Sequence, residues 1–372
     1  MAPSIVVHFA DVPDPRDDRG LRHRLEEMLT IAICAVVCGA NDWSEVALFG
    51  ESKSKWFKTF LRLPHGIPSH DTFARVFAAL EPEALERCFV AWTQALADAG
   101  DGELIAIDGK TLCRSFDRAS DKAAIHMISA WATENELVFG QVATEAKSNE
   151  ITAMPKLLEL LDLHGTTVSI DAEGCQKNIA RQIIEQGGDY VLALKANHPT
   201  MHAEVSTFLN EAIARDFHDV AGDTCEHVDG DHGRVETRRT WVTSEVSWFA
   251  DRQQWAGLQS FVAVECERTV DGQTSCERRY FISSLPGTDA EAMARAVRGH
   301  WGIENKLHWS LDVTFAEDAC RTRIGHAAEN FSRLRRIALN LLKREQSRRT
   351  SLKKKRLLAG WDHDYLLRLL TA

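Results

Sequence analysis

Two short apolar runs, Leu104-Ile105-Ala106-Ile107 and Thr167-Val168-Ser169-Ile170, each end in an aspartate, Asp108 and Asp171. Brief runs of this kind have the character of buried strands. In α/β sheets the C-terminal strand ends are where ligands sit, so carboxylates emerging there from adjacent strands would be held rigidly at the rim of a crevice. Strand-end aspartates also cap the turn that follows, which is their commoner role. The two readings stand side by side until a third acid is found.

The chain around these runs reads as helix, then mixed sheet, then helix. Residues 1 to about 95 carry helical patterning at Leu21–Gly39, Thr72–Leu80 and Pro82–Ala99, with a Pro/Gly break at 63–71 in which Ser69 or Asp71 is the N-cap. Ala99-Gly100-Asp101-Gly102 reads as a linker. Strand-like runs follow at Leu104–Ile107, Ala124–Thr133, Leu137–Ala143, Thr167–Ile170 and Tyr190–Lys195, interleaved with helices at Ile151–Leu163 and Gln176–Gln186. Three strands and then helix, strand, helix, strand predict a mixed α/β sheet rather than a doubly wound one. A helix over His202–Arg215 precedes a β-rich set at Arg234–Thr243, Leu258–Arg268 and Glu277–Ser284, with a turn at Asp271-Gly272. A long helical segment from Asp289 past Glu304 and a helix over Ala327–Arg344 complete the pattern.

Charge is distributed unevenly. The whole chain is −10, yet Arg333–Arg356 holds eleven Lys or Arg against the single acid Glu345, a local +10 on a body of −20. A basic segment on an acidic body fits a nucleic-acid grip beside acidic metal-binding elements, and equally a solvated helix face. Nine scattered cysteines fit a reducing, cytoplasmic compartment rather than a disulfide framework, and Cys34 and Cys38 read as core. The longest apolar stretch, Ile31–Ala40, is far below the roughly 20 residues of a membrane span, so no membrane partner is expected.

The third acid lies in His300-Trp301-Gly302-Ile303-Glu304-Asn305-Lys306-Leu307-His308-Trp309. On an α-helix His300, Glu304 and His308 share one face. One reading sets Glu304 over the aspartate pair, with His300, Asn305 and Lys306 contacting DNA. A second makes His300, Glu304 and His308 a zinc triad and the protein a zinc hydrolase. A third treats the tryptophans as core; a lesser possibility is that Trp301 or Trp309 stacks on a displaced base.

Here the motifs meet a family. Ile107-Asp108-Gly109-Lys110, Ile170-Asp171-Ala172-Glu173-Gly174-Cys175-Gln176 and His300-Trp301-Gly302-Ile303-Glu304-Asn305 resemble the three catalytic blocks of bacterial insertion-sequence DDE transposases of the H-repeat-associated (ISAs) kind. The resemblance continues in Lys147-Ser148-Asn149-Glu150-Ile151-Thr152, His232-Gly233-Arg234-Val235-Glu236-Thr237-Arg238 and Leu311-Asp312-Val313. It extends at the N-terminus to Asp14-Pro15-Arg16, Gly20-Leu21-Arg22-His23 and the 66–73 segment. Where many relatives carry a Tyr and an Arg before the third acid and a Lys after it, this chain has Val297, His300 and Leu311; Glu173 and Ala196-Asn197-His198 are further departures.

The resemblance implies a helical N-terminal domain (1–98), a ribonuclease H-like catalytic domain (99–330) with a β-rich insertion at about 200–285, and a C-terminal helix and basic tail (331–372). The 133 positions between Asp171 and Glu304 leave room for that insertion. It also implies two Mg²⁺ or Mn²⁺ ions on Asp108, Asp171 and Glu304, because hard cations take oxygen ligands and an ion pair can drive phosphodiester displacement. The DNA contacts it suggests are Lys110, Arg234, Arg298, His300, Asn305 and Lys306. The partners would be double-stranded DNA, as terminal inverted repeats and as target, and a second copy of the chain on that DNA. The protein would be cytoplasmic and nucleoid-associated when bound. The alternative within the family is a DNA-binding relic that no longer cuts and represses its own element.

Overall fold

The computed structural model describes residues 4–17, 21–96, 102–116, 123–144, 150–231 and 234–371. The linker at 99–101, Gly20, Lys147-Ser148-Asn149 and His232-Gly233 lie outside the described residues. In chain order the helices α1 (Ser4–His8), α2 (Leu25–Cys38), α3 (Trp43–Ser52), α4 (Ser54–Phe57), α5 (His70–Ala79) and α6 (Pro82–Leu96) come first. Strands β1 (Leu104–Thr111), β2 (His126–Ala132) and β3 (Leu137–Thr144) follow, then α7 (Glu150–Glu159), β4 (Thr167–Ile170), α8 (Lys177–Glu185), β5 (Asp189–Leu194) and α9 (Pro199–Ala214). Next are β6 (Gly222–Asp231), β7 (Arg234–Thr243), β8 (Ser260–Val270) and β9 (Gln273–Ser283). The chain closes with α10 (Ala290–Gly302), α11 (Trp309–Val313), α12 (Ala327–Arg344), α13 (Leu352–Trp361) and α14 (His363–Thr371). Two compact units result: Met1–Ala99, Gly109–Asn149 and Glu304–Ala372 form one, Gly100–Asp108 and Glu150–Ile303 the other. The C-terminal helices are therefore part of the unit that holds the N-terminal ones, not a separate tail.

In the first unit α2 is mostly apolar and buried on nearly every side, and it stops at Gly39, whose φ of 120° a side chain would resist. Ser69 caps α5 by accepting the Thr72 N–H. Helix α12 is buried along almost its whole length, so its polar residues have to find partners inside. Asn330 donates to the carbonyls of Phe77 and Leu80, closing the open end of α5. Asn340 both accepts from and donates to the Val138 backbone, and Glu86 accepts the Gln141 N–H at 2.6 Å. Together with Thr93, which donates to the Phe139 carbonyl, they occupy the backbone groups that β3 does not pair with β2.

The same helix corrects the reading of the basic segment. Of its eleven cations, Arg333, Arg335, Arg336, Lys355 and Arg356 are buried. Arg333 pairs with Glu86 at 2.6 Å and Arg336 with Glu317 at 2.9 Å, while Arg356 donates to the Val36 and Val37 carbonyls. These groups hold the unit together and are not available as a DNA grip.

In the second unit the strand order is β1-β4-β5-β9-β8-β7-β6. β1, β4 and β5 are parallel and the rest antiparallel, giving the expected mixed sheet. The inserted strands extend this sheet, because β9 pairs with β5 from Val191↔Ser283 to Leu194↔Tyr280. β8 and β9 turn at Asp271-Gly272, both at positive φ, as the dipeptide predicts. Helix α10 covers the sheet, burying Ala290, Met293, Ala296 and Val297 against Val191, Val242, Val262 and Phe281. Strand β6 was not expected. Its sequence, Gly222-Asp223-Thr224-Cys225-Glu226-His227-Val228-Asp229-Gly230-Asp231, has no apolar alternation because it is an exposed edge strand. Among the described residues no single helix is long and apolar enough to cross a membrane.

Candidate active site

Asp108 and Asp171 come side by side. β1 and β4 are parallel with Ile107 opposite Ile170, so Asp108, still within β1, and Asp171, the first residue beyond β4, follow at the same level. The strands that carry them are rigid for a simple reason: Ile105, Ala106, Ile107, Val168 and Ile170 are all buried. Both aspartates are half-buried.

The turn after Asp171 is built to hold its carboxylate. Oδ1 accepts the Glu173 N–H at 3.0 Å, so the turn-capping role foreseen for a strand-end aspartate is present too. Gly174 is needed for space: a Cβ there would lie 2.3 Å from Ile170 Cγ2 and 2.7 Å from the Met154 sulfur. From the end of β5, Asn197 donates to the Ala172 carbonyl, and His198 Nε2 is 2.6 Å from the Cys175 carbonyl oxygen. The Ala196-Asn197-His198 block thus clamps the backbone that follows the second acid. Sequence reasoning noted this block only as a departure from its relatives. Nothing local to it signals that it reaches back more than twenty residues.

His300 also serves β4. Its Nδ1 lies 3.0 Å from the Ser169 hydroxyl, two residues before Asp171. Burial pushes the imidazole below its ordinary pKa, and the charge of Asp171 offsets this only in part. A ring held neutral against a strand is a positioning group; the expected phosphate contact at His300 does not fit this placement.

Glu304 is exposed, and it lies in a departure from α-helical geometry. Ile303–His308 forms a π-helical segment between α10 and α11. Widened turns of this kind frequently mark functional positions. They also undo the four-residue spacing on which the shared face of His300, Glu304 and His308 rested. His308 sits in a buried charge cluster, where desolvation and then the charges of Arg336 and Lys110 push its pKa down to about 3. With His300 on Ser169 and His308 in that cluster, the zinc triad is not assembled.

Lys110 departs from its expectation as well. Its ammonium is buried, 2.7 Å from Asp312 and 2.8 Å from Asp318, with Glu317 at 4.0 Å. Burial alone would lower its pKa, but these acids outweigh that and hold it raised, so it stays charged. It fastens the end of β1 to the segment that follows Glu304 in the chain and is not open to a phosphate. The Leu311-Asp312-Val313 motif supplies one of its two anchors.

The remaining cations are on the surface. Arg234 is exposed at the start of β7, and Asn305 is exposed within the π segment. Arg298 pairs with Asp229 at 2.8 Å and Lys306 with Glu136, both as solvent-facing bridges of the kind that contribute little and exchange readily. Trp301 and Trp309 are not core. They are 38% and 58% exposed, and Arg279 stacks over the Trp301 ring at 4.8 Å.

Known proteins resemble this chain along most of its length. Residues 99–341 match the model of the Transposase DDE domain, and residues 6–93 match that of the DDE_Tnp_1-associated domain. The chain is 42% identical to "Putative transposase YncI" of Escherichia coli O157:H7, over 95% of this chain and 90% of that one. It is 38% identical to "H repeat-associated putative transposase YhhI" of Escherichia coli K12, over 98% and 97%. A short relative from the same strain, "Inactive transposase YbfQ", is 38% identical over 19% of this chain and 86% of its own. A family model spanning well over half of the residues, full-length relatives, and a mixed α/β sheet agree: the chain belongs to the DDE transposases and has their ribonuclease H-like fold.

Proposed function

We propose that this transposase is catalytically competent, cutting DNA at the ends of its element and joining the freed 3′-hydroxyl to a target. The observation that carries this reading is the matched register of Ile107 and Ile170, after which Asp108 and Asp171 follow at the same level on neighbouring parallel strands. Glu304 is the third ligand. All three donors are carboxylate oxygens, the set that hard divalent cations prefer. Mg²⁺ or Mn²⁺ held by them would supply activation of the attacking oxygen and charge for the leaving one.

The chain's own part is to hold these acids still and to place the substrate. Glu173 N–H, Asn197 and His198 fix the turn bearing Asp171, and His300 braces β4 behind it. Arg234, Arg298, Asn305 and Lys306 bind phosphates of the duplex; on meeting DNA, Arg298 and Lys306 exchange their surface carboxylates for phosphate. Two copies of the chain hold the two ends of the element.

The test is cleavage of DNA carrying the terminal repeats, with Mg²⁺ or Mn²⁺, comparing the parent with Glu304→Gln. The expected result is a cut at the repeat boundary by the parent and a loss of about a thousandfold or more in the variant with binding retained. Binding by both without cutting by either would overturn the proposal in favour of a repressing relic. A short relative already bears the name of an inactive transposase. Val297, His300 and Leu311 would then be the first positions to restore.

A further inference from the structure

Strand β6 presents a row of polar side chains along one edge of the sheet. Alternate residues of a strand share a face, and Asp223, Cys225, His227 and Asp229 are such a row. Three of them meet helix α10. Asp223 accepts the Ala290 N–H at 2.9 Å, His227 Nε2 lies 3.1 Å from Glu291 Oε1, and Asp229 pairs with Arg298 at 2.8 Å. Cys225 lies between the first two in sequence, opposite Thr240 on β7. Its sulfur, the His227 nitrogen and a Glu291 oxygen all lie within 4.8 Å of one another. Among the described residues this is the one group of three His, Cys, Asp or Glu side chains whose ligand atoms converge so closely.

A zinc ion with N and O ligands at about 2.0–2.2 Å in a tetrahedron has an N···O edge of roughly 3.3–3.5 Å. The His227–Glu291 separation is already near that edge, and the sulfur, within 4.8 Å of both, has at most about an ångström to close, which a side-chain rotation on an edge strand supplies. The donor chemistry also selects the ion. One thiolate, one imidazole and one carboxylate suit a cation of borderline softness and do not suit Mg²⁺. We propose that Cys225, His227 and Glu291 form a zinc site, with water as the fourth ligand, separate from the oxygen-only catalytic site. Binding exchanges the Cys225 thiol proton for the metal and releases that proton to solvent. Arg295, 3.9 Å from the Glu291 carboxylate, is the cation displaced.

Such a site would clamp the first turn of α10 to the sheet edge. The far end of that helix carries His300, braced on β4, and leads directly into Glu304. The metal therefore has a structural role: it fixes the start of the helix whose last turn carries His300.

The experiment is a Co²⁺ titration of the full-length protein, read by thiolate-to-cobalt charge-transfer absorption and by tetrahedral d–d bands, with Zn²⁺ competition. The expected result is a charge-transfer band corresponding to a single cobalt–thiolate site, lost on addition of Zn²⁺ and absent in Cys225→Ser. Affinity should fall more than roughly a hundredfold in His227→Gln, since even outer-shell losses cost ten- to a hundredfold. His227 is on the surface, so that variant tests the site without threatening the fold. Asp171→Asn is the separating control. It should keep the cobalt band whether or not the parent cuts DNA, so a failed zinc site and a failed catalytic reading give different results. Absence of a charge-transfer band in the parent, or a band that survives in Cys225→Ser, would overturn the proposal and leave His227 and Glu291 as a surface ion pair.

Discussion

Arg336 and Arg239 each hold a glutamate, Glu317 at 2.9 Å and Glu226 at 2.6 Å. The first pair is fully buried in the helical unit; the second lies open to water on the strand ladder. Their surroundings give the same two groups opposite standing. Around Arg336, removal from water costs several kcal/mol per ion and is offset only because Ser332, Ser129 and Glu317 all contact the guanidinium. Around Arg239, Glu265 and Glu267 also approach, at 3.3 and 3.5 Å, but the guanidinium, Glu226 and Glu267 all face water, which competes for them. A buried pair is thus fragile to the loss of one member, whereas an exposed ladder is redundant.

The sharpest way to break this comparison is to remove one member of the buried pair. Arg336→Met leaves the Glu317 carboxylate enclosed without its main partner, and a loss of about 3–5 kcal/mol is expected, measured by urea unfolding. The double variant Arg336→Met, Glu317→Met should recover most of that loss, because a well-packed apolar pair often replaces a buried ion pair at little cost. If the double variant is as unstable as the single, charge balance is not what Arg336 provides, and the contrast with Arg239 fails.

A smaller effect comes from pH. His308 lies in the same buried cluster, with its pKa pushed from 6.5 to about 3 by burial first and by the Arg336 and Lys110 charges next. The folded state therefore refuses a proton that the unfolded chain accepts. Stability contributed by neutral His308 is full above pH 6.5 and is lost as pH falls toward 3, with a slope approaching about 1.4 kcal/mol per pH unit. The ladder carboxylates Glu236, Glu265 and Glu277 are all held below their ordinary range, so they titrate beneath most of this window. Stability of the parent between pH 5 and 6.5 should fall more steeply than that of His308→Gln. Parallel curves would mean that the cluster tolerates His308 in its charged form.

The same contrast explains what could be read from the sequence. The strand-borne acids were legible because each follows an apolar run, and burial of a run is a local property. Ser69 as a cap, Gly39 as a stop and Asp271-Gly272 as a turn were legible for the same reason. The basic segment was not. Its arginines recur with helical spacing among Phe331, Leu334, Ile337 and Leu341, which resembles an exposed charged face until Glu86 and Glu317 appear from distant parts of the chain. Lys110 was misread on the same ground, since Asp312 and Asp318 lie more than two hundred positions away. Strand β6 was missed because an edge strand in water needs no apolar alternation. For the candidate site, the placement of Asp108 and Asp171 on neighbouring strands was readable. The braces that hold them, Ser169 with His300 and Asn197 with Ala172, were not, because each is a contact between elements.

The smallest expected effect tests the other half of the comparison. Arg239→Ala removes a guanidinium that touches three glutamates, Glu226, Glu265 and Glu267, and on contact number alone it would rank with Arg336. Exposure argues otherwise. Glu226 and Glu267 regain water when Arg239 leaves, and the more buried Glu265 keeps Arg278. The variant should hold its thermal midpoint within about 2 °C of the parent, and added salt should shrink even that difference, because mobile ions screen exposed pairs and reach buried ones poorly. Arg336→Met, by contrast, should be indifferent to salt. A large, salt-insensitive loss in Arg239→Ala would show that the ladder acts as a cooperative unit, and that exposure alone does not set the worth of an ion pair in this fold.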